Sequence, residues 1–280
     1  MTVDTFRIAL IQQRATTDLD DNLARAERAL DRAAEEGCRL AAFAELGLTP
    51  FYPQSPADEA APESAGRDLA ETIPGPTTER MALKASEHGM VVIPNLYERE
   101  GDRRFDTSVV LSDRGEILSR TRMLHIPDFD CFHERTYYDP GDLGLPIVDV
   151  GGFRVGIAIC YDRHYPEVMR ALAGADLVLV PQAGATNEWP PGVFEAELQT
   201  AALQNGYFAA LINRVGSEER LDFAGESFVC APNGEVIARA PQGEDHLLLC
   251  DLDPSRLESS PARLLFLEDR RRDLNFGSRT

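Results

Sequence analysis

Short apolar runs alternate along the chain with longer stretches in which apolar residues recur every three to four positions. The short runs predict buried strands, because continuous apolar strands are typical of parallel sheets covered on both faces. They lie at residues 6–12, 40–44, 90–94, 153–159, 176–181 and 208–213. The longer stretches predict helices at residues 23–37, 77–89 and 195–204, the first of them capped by Asp21 or Asn22. This alternation predicts an α/β fold.

The remaining segments complete the outline. Residues 107–111 and 117–126 flank the turn Ser112-Asp113-Arg114-Gly115 and predict a hairpin. Residues 49–76 predict a surface loop with one helical turn, and residues 128–142 a polar and aromatic loop. No repeat and no linker divides the sequence. We therefore expect one domain over residues 1–280, in which two mixed sheets carry helices on their outer faces.

Two predicted strands lead directly into residues whose side chains can take part in catalysis. The run that starts near Phe153 ends at Cys160, and Pro166-Glu167 then opens a helix. Helix N–H groups at such a turn would lower the pKa of the thiol and offer donors to an oxyanion. Glu45 likewise follows a strand, at the sheet edge where α/β proteins place ligands. The alternatives are a buried structural cysteine and a solvated glutamate.

Composition narrows the function classes. The formal net charge of -19 argues against nucleic acid and anionic membranes as partners, because both would be repelled. No stretch is long and apolar enough to span a membrane, and the first residues lack the pattern of a signal peptide, so we expect a cytoplasmic protein. The five cysteines are scattered without CxxC spacing, and His133 and His164 lack metal-ligand spacing. We therefore expect no metal and no cofactor.

Several motifs, taken together and in this order, resemble the nitrilase superfamily of carbon–nitrogen hydrolases. They are Ala44-Glu45-Leu46, His125-Ile126-Pro127, Phe132-His133-Glu134, Pro140-Gly141-Asp142, Ile159-Cys160-Tyr161-Asp162-Arg163-His164-Tyr165-Pro166-Glu167 and Asn213-Arg214-Val215-Gly216. The resemblance covers nearly the whole chain and is closer to the N-carbamoyl amidase and ω-amidase branches than to true nitrilases. It implies a four-layer αββα sandwich and a homodimer or higher homo-oligomer, with the tail at about 255–280 at an oligomer contact.

The resemblance also implies catalytic roles. In that family a glutamate is the general base, a cysteine attacks an amide or nitrile carbon, and a lysine stabilises the tetrahedral intermediate. Glu45 matches the base, Cys160 the nucleophile, and Glu134 a second glutamate that helps to hold the substrate and the base. The backbone N–H of Tyr161 would face the oxyanion.

Met123 stands where the family has its lysine, two residues before the histidine of His125-Ile126-Pro127. Lys84 is the one lysine in the chain and lies far upstream. Strand alternation points Arg122 to the opposite face from Met123. Three explanations remain: an exchange introduced to trap the enzyme, a natural subgroup in which another donor replaces lysine, or loss of amide hydrolysis. We favour the second, with His125 as a candidate donor and a loop-holding histidine as its alternative.

Two further side chains are candidates for substrate binding. Arg163 has a planar fork that would pair with a substrate carboxylate, and a structural ion pair with Glu167 or a neighbouring acid is the alternative. Trp189 follows a strand end, where it would wall the pocket or pack at a loop or dimer contact.

The sequence therefore favours a metal-free cysteine amidohydrolase that acts on a small linear amide or N-carbamoyl compound through a thioester. The alternative from another class is a catalytically impaired pseudoenzyme that binds a small carboxylated metabolite or a protein partner. A non-hydrolytic acyl transferase is a third possibility.

Overall fold

The computed structural model describes residues 5–57, 69–271 and 273, and the structural statements below refer to these residues. The strands, numbered in chain order, are β1 (Phe6–Gln12), β2 (Leu40–Phe43), β3 (Val91–Ile93), β4 (Asn95–Glu100), β5 (Arg103–Leu111), β6 (Ile117–Arg122), β7 (Val148–Asp149), β8 (Arg154–Ile157), β9 (Leu177–Gln182), β10 (Phe208–Asn213), β11 (Val215–Ser217), β12 (Asp222–Ala224), β13 (Phe228–Cys230), β14 (Val236–Arg239) and β15 (His246–Leu252). The α-helices are α1 (Leu19–Glu35), α2 (Pro76–His88), α3 (Pro166–Ala171), α4 (Val193–Asn205) and α5 (Ser255–Glu258).

The chain forms two mixed sheets with the same arrangement: each has three parallel strands at its centre and antiparallel strands on either side. The first sheet has the order β15-β1-β2-β3-β5-β4, with β6 also paired to β5, and β1, β2 and β3 are parallel. The second has the order β14-β13-β10-β9-β8-β7, with β8, β9 and β10 parallel. A small ribbon, β11-β12, completes the pairing. The predicted mixed sheets are therefore confirmed.

The alternation of side chains along the strands produces four layers. Ile8 and Leu10 of β1 lie in a core shared with β9 and β10 of the other sheet. Ala9 and Ile11, which point the opposite way, pack in a core with residues of α1 and α2. The second sheet buries its outer face against α3 and α4 in the same manner. The two sheets thus face each other between helices, as the resemblance implies.

Two sequence predictions need correction at element ends, and the helical turn predicted in the loop at 49–76 is confirmed. α1 begins at Leu19, and its cap is Asp18, whose side chain accepts from the Asp21 N–H; the predicted caps, Asp21 and Asn22, are wrong. The hairpin between β5 and β6 is confirmed, but β6 ends at Arg122 and does not continue to residue 126. The predicted loop at 49–76 contains a 3-10 turn at Tyr52–Gln54, and its residues 58–68 lie outside the described chain.

The carboxyl-terminal segment packs beside α4 as far as it is described. A π-helical turn spans Ala262–Phe266, and Arg263 anchors it by pairing with Asp176 (2.7 Å). Leu264, Leu265 and Phe266 remain exposed to solvent. Residues 272 and 274–280 of the predicted contact segment lie outside the described chain. None of the described helices is long and apolar enough to cross a membrane.

Candidate active site

The turn that carries Cys160 directly follows a buried parallel strand. Beyond the end of β8, the Ala158 N–H still donates to the Leu179 carbonyl oxygen of β9 (3.0 Å), and a 3-10 turn over residues 160–164 then precedes α3. Cys160 has a φ of 43°, in the left-handed region that residues other than glycine rarely adopt. Nη1 of Arg163 donates to the Cys160 carbonyl oxygen (2.8 Å) and helps to hold this conformation. Strain of this kind is commonly found at functional residues.

The surroundings of Cys160 favour the protonated form of its thiol. Burial raises its pKa well above the usual value, the charges of Glu45 and Glu134 act in the same direction, and Arg163 opposes them. The lowered pKa predicted from the helix terminus is therefore wrong, because a 3-10 turn separates the thiol from α3 and the surroundings are acidic. Cys160 consequently needs a base to become a nucleophilic thiolate.

Glu45 is placed to be that base. It lies two residues beyond β2, is fully buried, and lies beside the thiol of Cys160, with which it interacts electrostatically. Its Oε2 accepts from the backbone N–H of Ala183, at the end of β9 (2.6 Å). Burial, and then the charge of Glu134, raise the pKa of Glu45 to about 8. The facing sheets thus bring Glu45 from one and Cys160 from the other close together.

Glu134 lies in the aromatic loop, at the start of a 3-10 turn spanning Glu134–Thr136. Its side chain is fully buried, and neither of its carboxyl oxygens has a hydrogen-bond partner among the described residues. Burial and the charge of Asp106 raise its pKa well above the usual value. The structure therefore brings together Glu45, Cys160 and Glu134, the three residues matched to family roles.

Asp106 joins this group, and the sequence analysis missed it. It lies on β5, is fully buried, and interacts electrostatically with the neighbouring Glu45. Carboxyl oxygens of Glu45, Asp106 and Glu134 lie within 4.8 Å of one another. The available signal was an aspartate between Phe105 and the strand predicted at residues 107–111. Oxygens this close can share protons or surround a cation.

No basic side chain of the described chain bonds to these three carboxyl groups. Met123 is 1% exposed and belongs to the same apolar core as Cys160. Arg122 points away, as alternation predicts, and pairs with the buried Glu98 (2.8 Å). Lys84 is held at the surface by an aspartate of α1 (2.7 Å). The acids at the thiol therefore lack the lysine that the family resemblance led us to expect.

His125 makes the contacts of a residue that holds the loop. Its backbone N–H and its ring Nδ1 both bond to Oδ1 of the buried Asp162 (3.0 and 2.8 Å). Its ring stacks on Tyr165, with 3.5 Å between centroids. The alternation that placed His125 beside Met123 does not reach it, because β6 ends at Arg122.

Arg163 is buried and already paired. Its Nε contacts Glu197 Oε2 (3.1 Å), and its guanidinium lies over the ring of Phe194 at 4.5 Å. The partner is an acid of α4, whereas Glu167 is exposed on α3. These contacts are those of a structural ion pair, the alternative to a carboxylate-binding arginine.

Tyr161 and Trp189 belong to one aromatic cluster beside the turn that carries Cys160. The Tyr161 ring lies 5.2 Å from that of His164 and 6.4 Å from that of Phe129. Trp189 contacts the same two rings, at 5.1 and 6.3 Å, and its Nε1 donates to Glu188 (2.9 Å). Trp189 also lines a surface pocket of about 470 Å³. Within the part of the chain that the structure describes, Cys160 is not among the residues lining that pocket.

Comparisons with known proteins identify the family to which the sequence is similar. The sequence profile of a family described as carbon-nitrogen hydrolase matches residues 7–262. An N-carbamoylputrescine amidase of Solanum lycopersicum is 28% identical, over 95% of this chain and 92% of that protein. Both findings place the similarity across nearly the whole sequence.

Solved structures extend the similarity to the fold. A carbon-nitrogen hydrolase from Helicobacter pylori G27 superposes with a TM-score of 0.88 at 26% identity, over 96% of each chain. An amidase variant from Nesterenkonia sp. AN1 superposes with a TM-score of 0.79 at 28% identity, over 98% of this chain and 97% of that one. That amidase carries the acetamide moiety of fluoroacetamide covalently on its active-site cysteine.

Proposed function

The chain belongs to the carbon–nitrogen hydrolase family, and on that premise we propose that it is a cysteine-dependent amidohydrolase of small linear amides or N-carbamoyl compounds. The observation that carries the proposal is the position of the buried Glu45 carboxyl beside the Cys160 thiol. A thiol whose pKa is raised by burial reacts when a neighbouring base removes its proton.

The proposed reaction has two halves. Glu45 takes the proton from Cys160, the sulfur attacks the carbonyl carbon, and the C–N bond breaks as the leaving nitrogen receives that proton. Ammonia or an amine departs and leaves a thioester on Cys160. Glu45 then takes a proton from water, the resulting hydroxide attacks the thioester, and the proton returns to the sulfur as the acid departs. The backbone N–H of Tyr161 is the proposed donor to the oxyanion in both halves.

The acidic surroundings of the thiol favour substrates without a carboxylate near the scissile bond. The carboxyl groups of Glu134 and Glu188 raise the pKa of the Cys160 thiol, as nearby negative charge does, and the Arg163 guanidinium is paired with Glu197. We therefore expect a cationic or neutral amide to bind more tightly than an anionic one. N-carbamoylputrescine, the compound in the name of the Solanum lycopersicum relative, has an ammonium at its far end and suits this site. We expect it to be preferred over 3-ureidopropionate, its counterpart with a carboxylate end.

The test of the nucleophile is covalent labelling. Fluoroacetamide should add to Cys160 in the unaltered protein, and peptide mapping by mass spectrometry should locate the adduct there. Glu45→Gln should label more slowly, and Cys160→Ala should not label. Cys131 is a matched internal control, because it is a free thiol at an intermediate level of exposure outside the site. An adduct on Cys131 but not on Cys160 would refute the proposal.

Met123 favours a second candidate function, a pseudoenzyme that binds a small molecule without turning it over. A carboxylated ligand is the less suitable occupant, because no basic side chain of the described chain bonds to the three carboxyl groups and one of them would have to serve as its hydrogen-bond donor. This function predicts that an amide stabilises the protein against heat, that no ammonia appears, and that Cys160→Ala behaves as the unaltered protein does.

We further infer that the protein forms a homodimer or higher homo-oligomer through its carboxyl-terminal segment. The support is the exposure of Leu264, Leu265 and Phe266, three consecutive apolar residues. Leu265→Asp should lower the mass measured by light scattering during gel filtration. Ile117→Asp, at an exposed apolar position on β6, is the matched control. An unchanged mass for Leu265→Asp would refute this assembly.

A further inference from the structure

Asp106 faces position 123 across two paired strands. β5 and β6 are antiparallel, with Thr107 opposite Arg122, and the Met123 N–H donates to the Asp106 carbonyl oxygen (2.9 Å), so the pairing continues by one residue. Residues opposite each other on antiparallel strands project to the same face, with Cβ atoms about 5 Å apart. Asp106 and Met123 therefore lie side by side at the thiol, and a polar group at this place comes from residue 106.

The hydrogen bonds of Asp106 leave one of its oxygens available. Asn95 has a fixed orientation, because its Oδ1 accepts from the Leu46 N–H (2.7 Å). Its Nδ2 consequently donates to Oδ1 of Asp106 (2.6 Å). Oδ2 of Asp106 has no hydrogen-bond partner among the described residues, and the same is true of Oε1 of Glu45. Carboxyl oxygens of Asp106 and Glu45 lie within 4.8 Å of each other, and a hydrogen bond between two such groups needs a proton on one of them, because ionised oxygens only accept.

With the exception of Asn95, the groups that face Asp106 favour its neutral form. Glu45, Glu134 and Asp162 bring negative charge from β2, the aromatic loop and the Cys160 turn. Two buried hydroxyls, Tyr52 and Tyr138, hydrogen-bond to each other beside it. Asn95 is the neighbour that favours a charged carboxylate. Like charges this close in a buried site cannot all be ionised, so a proton stays on one of them.

We propose that Asp106 remains protonated, donates through Oδ2 to Oε1 of Glu45, and so lowers the pH at which Glu45 becomes the ionised base for Cys160. This inference rests on the proposed function. Asp106 is a positioning residue, since it acts through Glu45 and keeps its own proton throughout the cycle. It provides from β5 the hydrogen-bond donor that Met123 cannot provide from the end of β6.

Two substitutions separate a protonated acid from an ionised one. Asp106→Asn is isosteric, keeps an oxygen for Asn95, and presents a permanent N–H donor to Glu45. It should retain kcat/KM to within about threefold near pH 8. Asp106→Leu has a similar volume and no donor. It should lose roughly 10²-fold near pH 8, with its acidic limb moved to higher pH by at least about one unit.

The pH profile is the readout that a merely structural role would not move. In the unaltered protein kcat/KM should fall at alkaline pH, where Asp106 loses its proton; in Asp106→Asn this fall should be absent. Equal loss in both variants would overturn the proposal, because it would mean that an ionised carboxylate is needed. A stoichiometric metal in the purified protein, absent from Asp106→Asn, would overturn it as well.

A second readout keeps this inference distinguishable from the proposed function. Alkylation of Cys160 by iodoacetamide needs the thiolate but no amide turnover. Its rate against pH should have the same midpoint in the unaltered protein and in Asp106→Asn. If no amide is hydrolysed, the proposed function fails, and the alkylation profiles still decide the role of Asp106. Should Asp106→Leu not fold, a shifted midpoint in Asp106→Asn would by itself overturn the inference.

Discussion

A steep alkaline rise in activity is the first expected consequence of the site. The general base proposed is Glu45, whose pKa is raised to about 8 by burial and by the charge of Glu134. A raised pKa leaves a carboxyl group neutral, and unable to act as a base, below that pH. The proton must therefore be lost before the thiol of Cys160 can be activated.

The size of the effect follows from this pKa. About one tenth of the protein has an ionised Glu45 at pH 7, and about nine tenths at pH 9, so kcat/KM should rise roughly tenfold between them. The thiol does not account for this rise, because its own pKa is raised well above its usual value of 9.0. Glu45 and Asp106 interact directly, so the midpoint belongs to the pair.

The assay is the initial rate of ammonia release at subsaturating amide, measured from pH 6 to pH 10 at constant ionic strength. The matched control is Glu45→Gln, which keeps an acceptor oxygen for Ala183 but cannot ionise. It should lose most of the activity, and the remainder should lack the limb near pH 8. A rate that is flat from pH 6 to pH 9, or that rises near pH 4.5, would show that a buried, raised carboxyl group is not the base.

Three further predictions concern residues around the site. Met123→Lys should move the limb at least about one unit below pH 8, because an ammonium beside Asp106 favours ionised carboxylates; an unmoved limb in the pH–rate profile would contradict this. Arg122→Met should reduce the unfolding free energy by about 1–3 kcal/mol in urea titrations, because it removes two hydrogen bonds to the buried Glu98, which keeps Arg120 and Thr107 as partners; a change below about 0.5 kcal/mol would contradict the pairing. Cys160→Gly should be more stable than Cys160→Ala by about 1 kcal/mol, because glycine adopts a φ of 43° without strain; equal stability in the same titrations would argue against that strain.

The sequence predicts the strands of the two sheets well, but it does not predict how the sheets pack against each other. β1 and β10 have the predicted bounds, because continuous apolar runs leave little doubt about a buried strand. Glu45 and Cys160 each follow such a strand, yet they belong to different sheets. No local pattern states that two sheets face each other, so their contact was expected from the family resemblance alone.

Local sequence patterns do not predict which side chains contact each other in the folded protein. The sequence analysis offered Glu167 or a neighbouring acid as the ion-pair partner of Arg163, whereas Glu197 of α4 reaches it through tertiary packing. The strand that was expected to carry His125 toward the thiol ends at Arg122. Asp106 was not predicted, because an acid in a strand is typical of a solvated face and only the facing sheet makes it a buried neighbour of Glu45.

The measurement that tests the central claim most directly is ammonia release from ω-amides, N-carbamoyl amines and aliphatic amides at pH 9. It compares the unaltered protein with Cys160→Ala. Release by the unaltered protein and none by Cys160→Ala is the predicted result, since the thioester forms on that sulfur. Equal release by both proteins, or none by either from any of these amides, would contradict the account.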